Sequence, residues 1–198
     1  MAAQVAENLR RVLLDASLAL IEAEGLEAFS MREVARRAGV SHQAPYHYFE
    51  DREAILAAIV AEGFQELRDR SLGALEGLSE PAKRFTAIGK AYLDFALHNP
   101  AHFKLMFRSE LVREDKHRDA QACAQGAYDV LVNVADEVAQ VSGYEQRTVV
   151  VLAWSAVHGL ATLMLEGKLT KAVSSGPERV AAAYEAVELL EKLWCDRG

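Results

Sequence analysis

Residues 30–49 read SMREVARRAGVSHQAPYHYF. Met31, Val34, Ala35 and Ala38 recur at helical spacing on one side of a short helix. Ser30 stands just before it, where a hydroxyl can accept from the free N–H groups of the first turn. Gly39 ends it and supplies the backbone freedom that a sharp turn needs. Ser41 can cap a second short helix, and Val40 plugs the space between the two. Ala35 and Ala38 are small enough to let the helices approach. Tyr48 or Phe49 then anchors the end of the second helix against the long helix that precedes the segment. Two short helices held steeply across so brief a turn form a helix-turn-helix. The second helix can enter a major groove with its N-terminal residues toward base edges, the positive end of its dipole facing phosphate.

The side chains on offer suit that task. Ser41, Gln43, Tyr46 and His47 can all hydrogen-bond to bases or phosphates, and Gln43 can read an adenine edge with two bonds. Arg32, Arg36 and Arg37 lie on the preceding helix, which in this motif crosses the DNA backbone. Arg52 opens the following helix near the other flank. Such arginines position the protein rather than specify sequence. The segment is not basic overall: across residues 1–52, six arginines face eight acids. Glu22, Glu24 and Glu27 gather at the end of the first helix, where they can lie away from DNA. Pro45 interrupts the second short helix near its first turn, removes one N–H and pushes Ala44 off α geometry. A tight or distorted helix start is expected there.

Outward from this segment, apolar residues recur at helical spacing almost throughout. Upstream, Val5, Leu9, Val12, Leu13, Ala16 and Leu20 make a stripe that Gly25 stops. Downstream, Asp51 can cap a long helix that buries Ile55, Leu56, Ile59, Val60, Phe64 and Leu67. Residues 73–79 read as a loop. Pro81 suits the first turn of a helix carrying Phe85, Ile88, Tyr92 and Phe95, which Asn99-Pro100 breaks. A short helix follows over residues 101–107, then longer ones over about 115–141 and 145–166, separated by Gly143. Residues 167–177 form a loop before a last helix, about 178–195, with Val180, Tyr184, Val187, Leu190 and Trp194 on one side. The expectation is an all-α chain of about nine helices, divided into residues 1–52 and 53–198.

The 198 residues carry a net charge of −7, two cysteines and only four prolines. Cys123 and Cys195 form no C-x-x-C pair and read as free thiols. No signal peptide is visible, and no apolar run reaches the roughly 18 residues that span a membrane, so a cytoplasmic protein without membrane partners is expected. His98 and His102 are four apart, but the Asn99-Pro100 break separates them, so no metal is expected, nor any cofactor. Nothing pairs a nucleophile with a base or builds a phosphate loop, which argues against catalytic residues and an enzyme.

About 50 residues resemble the N-terminal domain of TetR-type transcriptional regulators. The resemblance is carried by Glu24-Gly25, Phe29-Ser30-Met31-Arg32-Glu33-Val34-Ala35, Ala38-Gly39-Val40-Ser41, Tyr46-His47-Tyr48-Phe49 and Asp51-Arg52-Glu53. By position it implies DNA contacts from Ser30, Arg32, Ser41, His42, Gln43, Ala44, Tyr46, His47, Tyr48 and Arg52. Pro45 departs from the commoner aliphatic residue. The stretch Trp154-Ser155-Ala156-Val157-His158-Gly159 is similar to one subgroup of the family's C-terminal domains, as is NPAHFKLMF at residues 99–107.

Trp154 and His158 are one turn apart and share a helix face. They either line a ligand pocket or pack in the core with a satisfied imidazole. Tyr92, Phe103, Met106, Phe107 and Tyr128 are further candidates for pocket walls, and the absence of a charged cluster points to a mostly apolar effector. Gly159 costs a helix roughly 1 kcal/mol against alanine, and close helix packing is the natural compensation. The resemblance implies a homodimer through the last two helices and a near-palindromic operator on double-stranded DNA. The leading expectation is a repressor released by a small molecule. The alternative is a constitutive or architectural DNA binder whose C-terminal part only dimerises.

Overall fold

The computed structural model describes residues 2–108, 110–113, 115–171 and 176–195. Among them the regular elements are all helical, with eight α-helices: α1 (Ala2–Glu24), α2 (Met31–Arg37), α3 (Arg52–Ala74), α4 (Pro81–His98), α5 (Pro100–Met106), α6 (Arg118–Ser142), α7 (Gln146–Leu165) and α8 (Gly176–Cys195). Three short 3₁₀ segments accompany them, at Leu26–Ala28, Ala44–His47 and Lys168–Lys171. The ninth helix expected from sequence is the second of these, in a tighter form than α. The expected loop at residues 73–79 is shorter, because α3 runs to Ala74. The loop at 167–177 is also trimmed, with 3₁₀ at one end and α8 starting at Gly176 at the other; residues 172–175 lie outside the described residues. So do the side chains of Val5, Trp194 and Cys195.

The chain forms two compact units, Met1–Phe64 with Pro100–Cys123, and Gln65–Asn99 with Ala124–Gly198. The core of the first gathers Leu13, Leu14 and Leu20 of α1, Val34 of α2, Phe49, and Ile55, Leu56 and Ile59 of α3. The α1 stripe needs one correction, since Val12 is exposed. At 100° per residue the buried arc centres on Leu13, Ser17 and Leu20, and Leu14 and Ile21 rather than Val12 fill its flank. The buried Ser17 hydroxyl donates to the Leu13 carbonyl at 2.7 Å, so it costs the core no unpaired polar group. Gly63 marks where α5 lies on α3: a Cβ there would sit 2.6 Å from Met106 Sδ and 3.2 Å from His102 Cβ.

The second unit buries Leu93 and Phe95 of α4, Val134 and Val138 of α6, and Val149 of α7. Gly89 lets α4 pass α8, for a Cβ there would fall 2.7 Å from Val187 Cγ1. The sequence reading of membrane length is corrected at α7. It has 20 residues, with a mean hydropathy of 1.8 over an 18-residue window, and is long and apolar enough to cross a bilayer by length and composition. A run containing Arg147, Ser155 and His158 escapes the eye as an apolar stretch, yet its average passes. In the fold, Val149, Val150, Ala153 and Ala161 pack into the second unit, while Val151, Leu152 and Leu163 stay exposed.

Candidate nucleic-acid interface

The reading segment is built from two turns that the sequence specifies closely. Ser30 has extended backbone, and its Oγ accepts from the Glu33 N–H at 3.2 Å. It remains able to donate its own proton outward. At the other end of α2, Gly39 N–H reaches Arg36 O at 3.3 Å and Val40 N–H reaches Ala35 O at 3.0 Å. These are the paired bonds of a Schellman cap, with Gly39 at φ +69°. Among the described residues, nothing beyond its chain neighbours lies within 4 Å of a Cβ built on Gly39, so only the backbone demands glycine there. Gly39→Asn should therefore change stability little. Gly39→Val should cost about 1–2 kcal/mol or more, read as a lowered urea midpoint with weakened DNA binding.

The element after the turn is not an α-helix. Ala44 N–H bonds to Ser41 O at 3.0 Å, Tyr46 N–H to Gln43 O at 3.1 Å and Tyr48 N–H to Pro45 O at 3.0 Å. All three are i to i−3 bonds, the 3₁₀ pattern. Pro45 lacks the N–H that α geometry would use here. The tight start expected from Pro45 is thus extended over the whole element. Ser41 does not act as its N-cap: that place falls to Gln43, which makes no side-chain cap bond.

Burial divides this element cleanly. Pro45 and Phe49 are buried, Ala44 and Tyr48 are half-buried, and Ser41, His42, Gln43, Tyr46 and His47 are exposed. Pro45 thus fills inward the position that is commonly aliphatic in the resembling proteins. Tyr48 is half-buried and Phe49 only 4% exposed, so of the two anchors proposed from sequence, Phe49 is the better buried. Asp51 caps the next helix as expected, its Oδ1 accepting from Ala54 N–H at 2.8 Å.

The arginines sort differently from one another. Arg36 pairs with Glu33 through two bonds, at 2.8 and 2.5 Å, and holds its carboxyl down to about 2. Arg37 is tied to Glu24 and to Glu33. Both cations are largely neutralised by these partners. Arg32 is exposed and has no partner among the described residues. Arg52 lies over the Phe29 ring, 5.4 Å from its centroid, and reaches Leu26 O at 3.4 Å. Arg10 was counted in the sequence but not placed at the site. It is exposed, with its guanidinium 5.4 Å from the Phe49 centroid. A stacking partner 39 residues along the chain leaves no mark at helical spacing.

The seven candidate ligand residues fall into two groups, one in each unit. Phe103 and Met106 are buried in the first unit. Phe107 meets Phe103 at 5.4 Å and Phe64 at 5.8 Å, edge to face. In the second unit, Tyr92, Tyr128, Trp154 and His158 come together. Tyr92 Oη stands 2.8 Å from His158 Nδ1, and Tyr128 meets Trp154 at 5.9 Å between ring centroids. The Trp154 indole, which can only donate, also acts on the Tyr92 hydroxyl.

Burial pushes the Tyr92 phenol well above its ordinary range and the His158 imidazole below 6.5. A depressed histidine contributes stability that is complete above the unfolded value and is lost as pH falls through the folded one. Acidifying from pH 7.5 to 5 should therefore destabilise the second unit. His158→Gln should flatten that part of the pH profile in urea titrations.

A helix-turn-helix followed by a larger helical body defines a class, the helix-turn-helix transcriptional regulators. Two family models match the chain: "Bacterial regulatory proteins, tetR family" over residues 13–59, and "Tetracyclin repressor-like, C-terminal domain" over residues 85–188. The chain belongs to the TetR family of transcriptional regulators, DNA-binding proteins rather than enzymes. It is 34% identical over 112 residues to the HTH-type transcriptional regulator BetI of Rhizobium meliloti (strain 1021), covering 55% of each chain. It is 30% identical over 148 residues to BetI of Cronobacter sakazakii (strain ATCC BAA-894), covering 58% of this chain and 73% of that one. Among solved structures, a protein with unknown function from Rhodococcus sp. RHA1 superposes with TM-score 0.72 at 32% identity, over 91% of this chain and 94% of that one. FadR from Bacillus subtilis, in complex with stearoyl-CoA, shares the fold with TM-score 0.73 at 15% identity, over 91% of this chain and 96% of that one.

Proposed function

We propose that the protein is a dimeric repressor that binds a near-palindromic operator and is released from it by a mostly apolar small molecule. The observation that carries the DNA part is the division of the reading element. Pro45 and Phe49 hold it from beneath, while Ser41, His42, Gln43, Tyr46 and His47 stand exposed. Ser30 and Arg32 flank it on α2 and contact phosphate. Ala44 and Tyr48, half-buried, contact DNA through their outer edges, and Arg52 does so from the start of α3. In functional terms residues 1–52 read DNA and residues 53–198 regulate and dimerise, in the cytoplasm where a bacterial chromosome lies.

The dimer reading rests on α7 and α8. Val151, Leu152, Leu163 and Leu189 are exposed apolar residues on these helices. Leu152, Ser155, Gly159 and Leu163 make one stripe of α7, and among the described residues nothing beyond its own stretch of helix comes within 4 Å of a Cβ on Gly159. The helix penalty of that glycine is compensated by close approach of a second subunit in a four-helix bundle. Such a dimer sets its two reading elements about 34–36 Å apart, one turn of DNA. The effector reading rests on the aromatic group Tyr92, Tyr128, Trp154 and His158, in which Tyr92 bonds to His158 and Tyr128 meets Trp154 ring to ring.

Selection of bound duplexes from a random pool tests the proposal. The expected result is a palindrome with half-sites one turn apart and binding that weakens steeply with salt. A pool that yields no enriched sequence overturns it. A ligand screen by thermal shift, followed by operator release, tests the effector. Binding that no apolar ligand relieves would leave a constitutive DNA binder.

A further inference from the structure

Glu53 is the second residue of α3, four residues after Phe49 closes the reading element. Its carboxylate is held by a segment sixty residues away. The Arg113 backbone N–H donates to Oε1 at 2.9 Å, and Arg113 Nε lies 3.2 and 3.3 Å from the two oxygens. Arg113 Nη2 reaches Oε2 at 3.0 Å, and His117 Nε2 lies 3.3 Å from Oε1. The Glu53 side chain is only 20% exposed. An ordinary surface ion pair contributes little because water screens it and two long side chains must be ordered. Here one carboxylate takes a main-chain donor and a guanidinium fork together, which fixes a backbone as well as a charge. The Arg113 guanidinium accordingly holds the Glu53 carboxyl down to about 2. Beside it, Val112 is buried in the core of the same unit. The connection between α5 and α6 is thus clamped to the start of α3, within the unit that carries the reading element.

We propose that Glu53 and Arg113 form a latch that positions the reading element, coupling DNA occupancy to the connection between α5 and α6. The proposal rests on the DNA-binding reading above and adds to it the residues through which regulation reaches the DNA side. Coupling of this kind is reciprocal. If the latch strengthens DNA binding, DNA must in turn stabilise the latch, although Arg113 and His117 lie on no element assigned to DNA contact.

The test is hydrogen exchange on the full-length protein with and without its selected duplex, in the wild type, Glu53→Gln, Arg113→Gln and the double variant. In the wild type, peptides covering Arg113 and His117 should exchange more slowly once the duplex binds. Each single variant should lose that response and bind the duplex about 5-fold or more weakly. The double variant should be no worse than either single one, because both remove the same interaction. Arg113→Lys should rescue only in part, since an ammonium lacks the guanidinium fork. A clamp that only stabilises the fold would lower the melting temperature and leave the duplex-induced slowing intact. That result, or wild-type exchange at Arg113 and His117 that ignores the duplex, overturns the latch. A wild type that binds no duplex overturns the DNA-binding reading itself, and the latch with it.

Discussion

Phe49→Ala lowers the free energy of unfolding by about 3–5 kcal/mol, the cost of removing a buried aromatic ring and leaving a cavity. Phe49 is 4% exposed and sits in the core shared by α1, α2 and α3. Its loss also strips Arg10 of the ring beneath its guanidinium, a contact worth about 0.5–1 kcal/mol at an exposed site. Domains are commonly stable by only about 5–15 kcal/mol, so the variant keeps little margin. Operator binding should fall with it, because the Phe49 ring supports from below the 3₁₀ segment that the Phe49 N–H closes onto Pro45 O at 2.9 Å. Urea unfolding and duplex binding measured on the same preparation check this. A variant with unchanged midpoint would show that the ring is not the anchor. Tyr46→Phe is the matched control: it removes an exposed hydroxyl, should leave the urea midpoint unchanged, and should weaken all duplexes alike if that hydroxyl meets phosphate.

Gln43→Ala should relax recognition at a single base position by about 1–3 kcal/mol if the amide reads a base edge with two bonds. Gln43 is exposed, its side chain makes no cap bond, and its backbone carbonyl, which accepts from Tyr46 N–H, is kept in the variant. Fold stability should not move. Arg32→Ala should act in the other way. Arg32 has no partner within the protein among the described residues, so its charge is available to phosphate. Removing it should weaken every duplex alike and lower the salt dependence by about one counterion. Binding of the wild type and both variants to a set of single-base substituted operators separates the two roles. Uniform loss for Gln43→Ala would reduce that residue to a backbone contact. Arg36→Ala is expected to matter less than Arg32→Ala, because Glu33 already holds Arg36.

The helical course of the chain, the turn at Gly39 and the caps at Ser30 and Asp51 were legible in the sequence. Each depends on neighbours within four residues: a hydroxyl or carboxylate one turn before an N–H, or a glycine where φ must be positive. The candidate DNA contacts Ser41, His42, Gln43, Tyr46 and His47 lie within the same short stretch and are exposed, while Pro45 and Phe49 between and after them face inward. Local chemistry also announced that Pro45 would tighten the element. It did not tell how far, and the whole of Ala44–His47 is 3₁₀.

Tertiary structure decided which charges remain for DNA and which residues share a cluster. Arg32, Arg36 and Arg37 are alike as letters, yet Glu24 and Glu33 occupy two of them and spare the third. His158 has its ring 2.8 Å from the hydroxyl of Tyr92, 66 residues away, a contact no local pattern announces. Phe103, Met106 and Phe107 looked like partners of Trp154 and pack in the other unit. Glu53 and Arg113 offered no local sign at all. Periodicity and capping report interactions within a turn of helix, whereas an ion pair or a ring contact across sixty residues is set by which helices the core brings side by side.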